Sequence, residues 1–177
     1  MTFTRLIAAL AFLPAIGCAG ATAGSPGGPP IETDRTVYVV NDSAGIARLT
    51  IHMTYRNTTG KDVYLPTCRG PQPPRLQKQV GDTWVVAFAP NVLACEATPI
   101  TVAPGDSYEY TFNILAGIPG SSYAPRFSVA EIPGTYRVLW EIFHATATGT
   151  DHHGVATRDP LPIDQEISNT FRIVPSR

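Results

Sequence analysis

In the stretch RLTIHMTYRN, from Arg48 to Asn57, Leu49, Ile51, Met53 and Tyr55 alternate with Thr50, His52, Thr54 and Arg56. A period of two sends the apolar set to one face of a strand and the polar set to the other. Tyr108, Tyr110, Phe112 and Ile114 alternate in the same way with Ser107, Glu109, Thr111 and Asn113. These two stretches predict strands with one face buried and one in water. YRVLWEIFH carries Tyr136, Val138, Trp140 and Ile142 on one phase, while Leu139 and Phe143 make the other phase apolar too. That pattern predicts a single central strand covered on both faces. Weaker strand signals are TVYVV from Thr36, DVYL from Asp62, RLQKQV from Arg75, TWVVAF from Thr83, PITV from Pro99 and SNTFRIV from Ser168.

The punctuation between these runs fits short antiparallel strands. Gly81 and Asp82 join RLQKQV to TWVVAF as a two-residue hairpin, with glycine where a type II′ turn needs it. Pro104-Gly105 and Pro133-Gly134 read as type II turns ahead of strong strands. No stretch beyond the leader carries a 3.6-residue apolar period. With 17 prolines and 15 glycines in 177 residues, helix-rich architecture is disfavoured. The expected fold is all-β: an antiparallel sandwich of two sheets with about eight or nine strands.

The N-terminus has a different character. Arg5 is the sole charge ahead of an apolar run from Leu6 to Leu13, which Pro14 breaks before it is long enough to span a bilayer. Residues 1–17 therefore read as a signal peptide, 18–33 as a flexible tether rich in glycine, proline and alanine, and 34–177 as one domain. Ala15-Ile16-Gly17-Cys18 resembles the lipobox of bacterial lipoproteins, although Ala15 stands where leucine is usual. That resemblance implies cleavage before Cys18, acylation of its thiol and new amino group, and attachment to a membrane. The competing cuts are of the A-x-A kind, Ala19-Gly20-Ala21 or Ala21-Thr22-Ala23, and would release a periplasmic or secreted soluble protein.

Setting Cys18 aside leaves Cys68 and Cys95, an even number that suits an oxidising compartment. No C-x-x-C spacing is present, so the expected role is a structural disulfide between them. The chain-entropy argument assigns such a bridge about 3.5 kcal/mol. Thirteen basic and fourteen acidic residues give a net charge of −1, with no run of like charge. Nucleic acid is not an expected partner, because it needs a basic face.

Several of these features also have a familiar order: a strand ending in Asn57, then Asp62-Val63-Tyr64-Leu65, the hairpin Gly81-Asp82-Thr83-Trp84, Pro104-Gly105 and Pro133-Gly134-Thr135-Tyr136-Arg137. This order resembles stand-alone immunoglobulin-like domains of bacterial envelope proteins, including the group related to intracellular proteinase inhibitors. Pro-Gly-Thr-Tyr resembles the tyrosine corner of immunoglobulin and fibronectin type III domains, which implies that the Tyr136 hydroxyl bonds back to the chain. Such a fold hosts many functions, so it names none.

Candidate chemistry is sparse. Asp151, His152 and His153 in GTDHHG are metal-ligand types that a loop could aim at one ion, set against a plain polar hairpin tip. Arg69, in the proline-stiffened loop PTCRGPQPPRLQ, is the residue an inhibitory loop would present. His52 reads as a solvated position, Trp84 and Trp140 as core, and Asn41-Asp42-Ser43 and Asn57-Thr58-Thr59 as turns. Ser121 and Ser122 have no base near them in sequence, and the motifs G-x-S-x-G and H-E-x-x-H are absent. The expectation is a non-enzymatic, cofactor-free binding or structural module of the cell envelope, lipid-anchored, with a protein or glycan partner. The alternatives are a protease inhibitor acting through Arg69 and a metal-binding envelope protein.

Overall fold

A computed structural model describes residues 28–92, 97–150 and 156–176 of the chain. Twelve strands follow one another there: β1 (Ile31–Thr33), β2 (Val37–Ser43), β3 (Ile46–Arg56), β4 (Val63–Leu65), β5 (Arg75–Val80), β6 (Thr83–Phe88), β7 (Ile100–Val102), β8 (Ser107–Gly117), β9 (Gly134–Leu139), β10 (Phe143–Thr150), β11 (Ala156–Pro160) and β12 (Phe171–Pro175). A 3-10 turn at Ile163–Gln165 is the one helical element among the described residues.

The strands form two sheets. The larger runs β1-β3-β2-β12-β9-β5-β6, with β8 on the other side of β3, and the smaller runs β11-β10-β4-β7. Their apolar faces share one core, in which Tyr55, Phe112, Tyr136 and Ile173 of the large sheet join Val63, Leu65 and Val102 of the small one. The fold is thus all-β and sandwich-like. Alternation drives it: Leu49, Ile51, Met53 and Tyr55 are all buried, as are Phe112 and Ile114, while Thr50, His52, Thr111 and Asn113 face water. β3 and β8 pair antiparallel over eleven residue pairs, from Ile46 opposite Gly117 to Arg56 opposite Ser107.

Not every pairing is antiparallel, contrary to the sequence expectation. β2 and β12 run parallel, with Val37 beside Arg172 and Val40 beside Pro175. Hairpins force antiparallel neighbours, but these strands are joined by the whole intervening domain, which leaves their relative direction free.

The expected central strand from Tyr136 to His144 is two strands in different sheets. β9 ends at Leu139 in the large sheet, and β10 starts at Phe143 in the small one. Trp140 and Ile142 stay buried in the connection, with Glu141 exposed between them, because the buried polar groups are met. The Trp140 backbone N–H donates to the Glu166 carbonyl at 2.8 Å, its indole N–H donates to the Gln72 carbonyl at 2.9 Å, and the Ile142 N–H donates to Oε1 of Glu166 at 3.0 Å. Because Trp140 and Ile142 keep the buried phase of β9, the crossover carries the same apolar pattern as a continued strand.

Two further corrections concern turns and core. Gly134 opens β9 at φ +153°, outside the range of a type II turn, and a Cβ placed there would lie 2.6 Å from Cε of Lys78. Trp84 is half-buried on the outer face, where the Arg137 guanidinium lies 4.4 Å from its ring centroid. By contrast, Gly81 has φ +57° and Asp82 is not left-handed, as a type II′ hairpin requires. Asp106 N–H closes the Pro104-Gly105 turn onto the Ala103 carbonyl at 3.0 Å.

Candidate functional site

The feature most suited to holding a ligand is the outer face of β1, β3 and β8. Its side chains stand in rows fixed by strand register. Glu32 lies opposite Thr54, which lies opposite Glu109; His52 lies opposite Thr111, and Thr50 opposite Asn113. Cross-strand bonds join the last two rows, His52 Nδ1 to Thr111 Oγ1 at 3.0 Å and Thr50 Oγ1 to Asn113 Oδ1 at 3.0 Å. Around the first two rows is an open groove of about 530 Å³, lined also by Thr33, Asp34 and Tyr110.

The groove is acidic and rich in hydroxyls. Glu32, Asp34 and Glu109 supply three carboxylates to its lining, and His52 lines it as well. Asp34 is held in place: the Tyr38 hydroxyl donates to its Oδ1 at 2.5 Å, and Nε of Arg35 lies 3.3 Å from its Oδ2. Burial, followed by the Asp34 hydrogen bond, pushes the Tyr38 hydroxyl up to about 12. β1 is fixed at this end because the Asn169 Oδ1 accepts the Thr33 backbone N–H at 2.8 Å. A face of this kind repels anions and offers acceptors to hydroxyl-rich or cationic groups. His52 and Thr111 form a base-and-hydroxyl pair, but on an exposed sheet face, where nothing desolvates a nucleophile.

The residues singled out from the sequence fall elsewhere. Arg69 is exposed, in a turn where the Cys68 N–H donates to the Gly70 carbonyl at 2.7 Å and the Gln72 N–H to the Pro66 carbonyl at 2.8 Å. Its φ is +59°, a left-handed backbone rather than the extended one that strand-like recognition uses. Cys18, Cys95, Asp151, His152 and His153 lie outside the described residues, as do the signal peptide and most of the tether. Among the described residues no three His, Cys, Asp or Glu side chains gather as metal ligands would.

Tyr136 takes the place its motif implies. It is fully buried, and its hydroxyl donates to the Ile132 carbonyl four residues upstream at 2.5 Å. Two buried polar groups, of which the sequence marked only Asn57 and only as a turn residue, also matter. Asn57 is fully buried; its Nδ2 donates to the carbonyls of Lys61 and Val102, each at 2.8 Å, and its Oδ1 accepts from Thr59 N–H at 2.9 Å and Thr59 Oγ1 at 2.7 Å. The N-T-T turn composition was the available signal. Glu166 is buried under the β9–β10 crossover, and that burial raises its carboxyl, partly offset by the Ile142 N–H. No pattern in DQEISN marks it.

No protein-family model matches the chain, and no curated protein matches it.

Proposed function

We propose that the protein is an exported, lipid-anchored immunoglobulin-like module of the cell envelope that holds a partner and carries out no reaction. The observation that carries this proposal is the junction at Cys18, where a short apolar run with one preceding charge ends in a lipobox-like Ala-Ile-Gly-Cys. Three acyl chains, at about 0.8 kcal/mol per buried methylene, hold a protein on a membrane for practical purposes permanently. The tyrosine-corner bond of Tyr136 and the shared two-sheet core support the immunoglobulin-like part. The acidic, hydroxyl-lined groove around His52 is the face we assign to a hydroxyl-rich or cationic partner.

A Cys68–Cys95 bridge belongs to the same proposal. Thr67 Oγ1 donates to the Thr98 carbonyl at 2.8 Å, which brings the chain just after Cys95 against the residue before Cys68. Replacing Cys18 with serine tests the anchor. The native protein should sediment with membranes and Cys18→Ser should not; a native protein found wholly in the soluble exported fraction would overturn the proposal.

A further inference from the structure

β8 is a sheet edge of unusual length. Its eleven residues pair on one side with β3 in unbroken register. On the other side only Gly117 is engaged among the described residues, its N–H donating to the Pro125 carbonyl at 2.9 Å and its carbonyl accepting the Phe127 N–H at 2.9 Å. From Ser107 to Ala116 the free side is a row of backbone donors and acceptors. Natural edges are blunted with lysine, proline, bulges or shortness. SYEYTFNILAG has none of these, and Glu109 is its one charge.

The side chains also look unfinished there. Tyr108 and Tyr110 point to the core side but are only half-buried, packing on Trp140 at ring-centroid distances of 6.2 and 5.0 Å. On the outer side Leu115 is 46% exposed. A strand laid along β8 would cover both.

We propose that β8 pairs antiparallel with β8 of a second copy of this chain, joining two large sheets into one. The strand is self-complementary. In a two-fold antiparallel pair each residue must meet one on the same face, so the axis passes through a residue. An axis through Phe112, the middle residue of β8, keeps Tyr108 to Ala116 of the open segment in the pairing. It sets Thr111 opposite Asn113, Tyr110 opposite Ile114, and Glu109 opposite Leu115. The single carboxylate thus meets an apolar neighbour and not its own copy, and Thr–Asn is a pairing this sheet already uses at Thr50 and Asn113. An axis through Glu109 would oppose like charges and cost stability. This inference rests on β8 alone and is independent of the anchored, exported assignment.

The test is the mass of the intact purified protein, by light scattering on a sizing column in non-ionic detergent, over a concentration series. The native protein should move from monomer to dimer with rising concentration. Thr111→Lys and Asn113→Lys together put lysine opposite lysine twice, and should raise the dimer dissociation constant by about 4- to 30-fold. Both sites are exposed, and an unchanged circular dichroism spectrum will show that the doubly substituted chain folds. Val39→Lys, on an exposed position two strands away, should leave the dimer intact. A native protein that stays monomeric throughout, or a dimer indifferent to the paired lysines, would overturn the proposal.

Discussion

Tyr55 and Tyr136 are both fully buried, yet their hydroxyls stand in opposite situations. Tyr136 donates to the Ile132 carbonyl at 2.5 Å, whereas the Tyr55 hydroxyl meets no hydrogen-bonding partner among the described residues. Burial alone accounts for the rise of the Tyr55 hydroxyl to about 12, as expected for a dry, unpartnered group. Tyr136→Phe deletes a donor and leaves the Ile132 carbonyl in an apolar setting, since Ile132 is only 6% exposed. Stranding such a group costs about 1–3 kcal/mol. Tyr55→Phe removes an oxygen that was desolvated without compensation, so it should be neutral or stabilising by up to about 1 kcal/mol. The two substitutions change the same atoms, so transfer and cavity effects nearly cancel in the comparison. Urea unfolding followed by tryptophan fluorescence measures it, provided the slope with denaturant is unchanged. The midpoint should fall for Tyr136→Phe and hold or rise for Tyr55→Phe, a gap of about 1–4 kcal/mol. Equal losses for both would refute the assignment of these hydroxyls, as would a neutral Tyr136→Phe.

Other consequences follow from the same packing. Asn57→Ala should cost about 2–4 kcal/mol, because it strands two carbonyls and two Thr59 donors, and Asn57→Asp should be at least as damaging at neutral pH, where a carboxylate would face the carbonyls of Lys61 and Val102; chemical denaturation checks both. Glu166 has a carboxyl raised in the folded state, so the stability it contributes is complete below its unfolded value and is lost as pH rises through the folded one. Glu166→Gln keeps an oxygen for the Ile142 N–H, and should stabilise the protein at neutral pH and flatten its gain on mild acidification, read from unfolding midpoints at several pH values. Gly134→Ala forces a side chain onto φ +153° and toward Lys78, and should cost about 1–3 kcal/mol in the same assay. Zinc titrated into tag-free protein should give no binding heat if Asp151, His152 and His153 are a polar loop tip, and a saturable signal if they hold a metal.

What could be read in advance was what is local. The alternation in β3 and β8 and the hairpin at Gly81-Asp82 appear in the structure where the residues place them, because a two-residue period and a glycine turn act over neighbouring positions. The Tyr136 bond is local too, spanning four residues. The break after Leu139 was not legible: Trp140 and Ile142 continue the period of β9, and only the distant Glu166 and Gln72 show that the chain leaves the sheet. Neither was the parallel β2–β12 pair, whose strands are far apart in sequence.

The same divide runs through the candidate site. His52 was assigned correctly to the polar face of its strand, but nothing in the sequence says that Glu32 and Glu109 flank Thr54 in the row beside it. Strand order, unlike strand phase, depends on contacts that no periodicity encodes. Trp84 shows the limit of phase itself, since an apolar phase at the outer sheet face carries a ring capped by Arg137 rather than a core residue.

The measurement that most directly tests the central claim is the intact mass and N-terminal sequence of the mature protein from membrane and soluble fractions, before and after reduction. The account predicts a membrane-fraction species that begins at an acylated Cys18 and gains the mass of two hydrogens on reduction, as a Cys68–Cys95 bridge opens. A soluble species with a free N-terminus at Thr22 or Gly24 would contradict the anchor, and an unchanged mass on reduction would contradict the bridge.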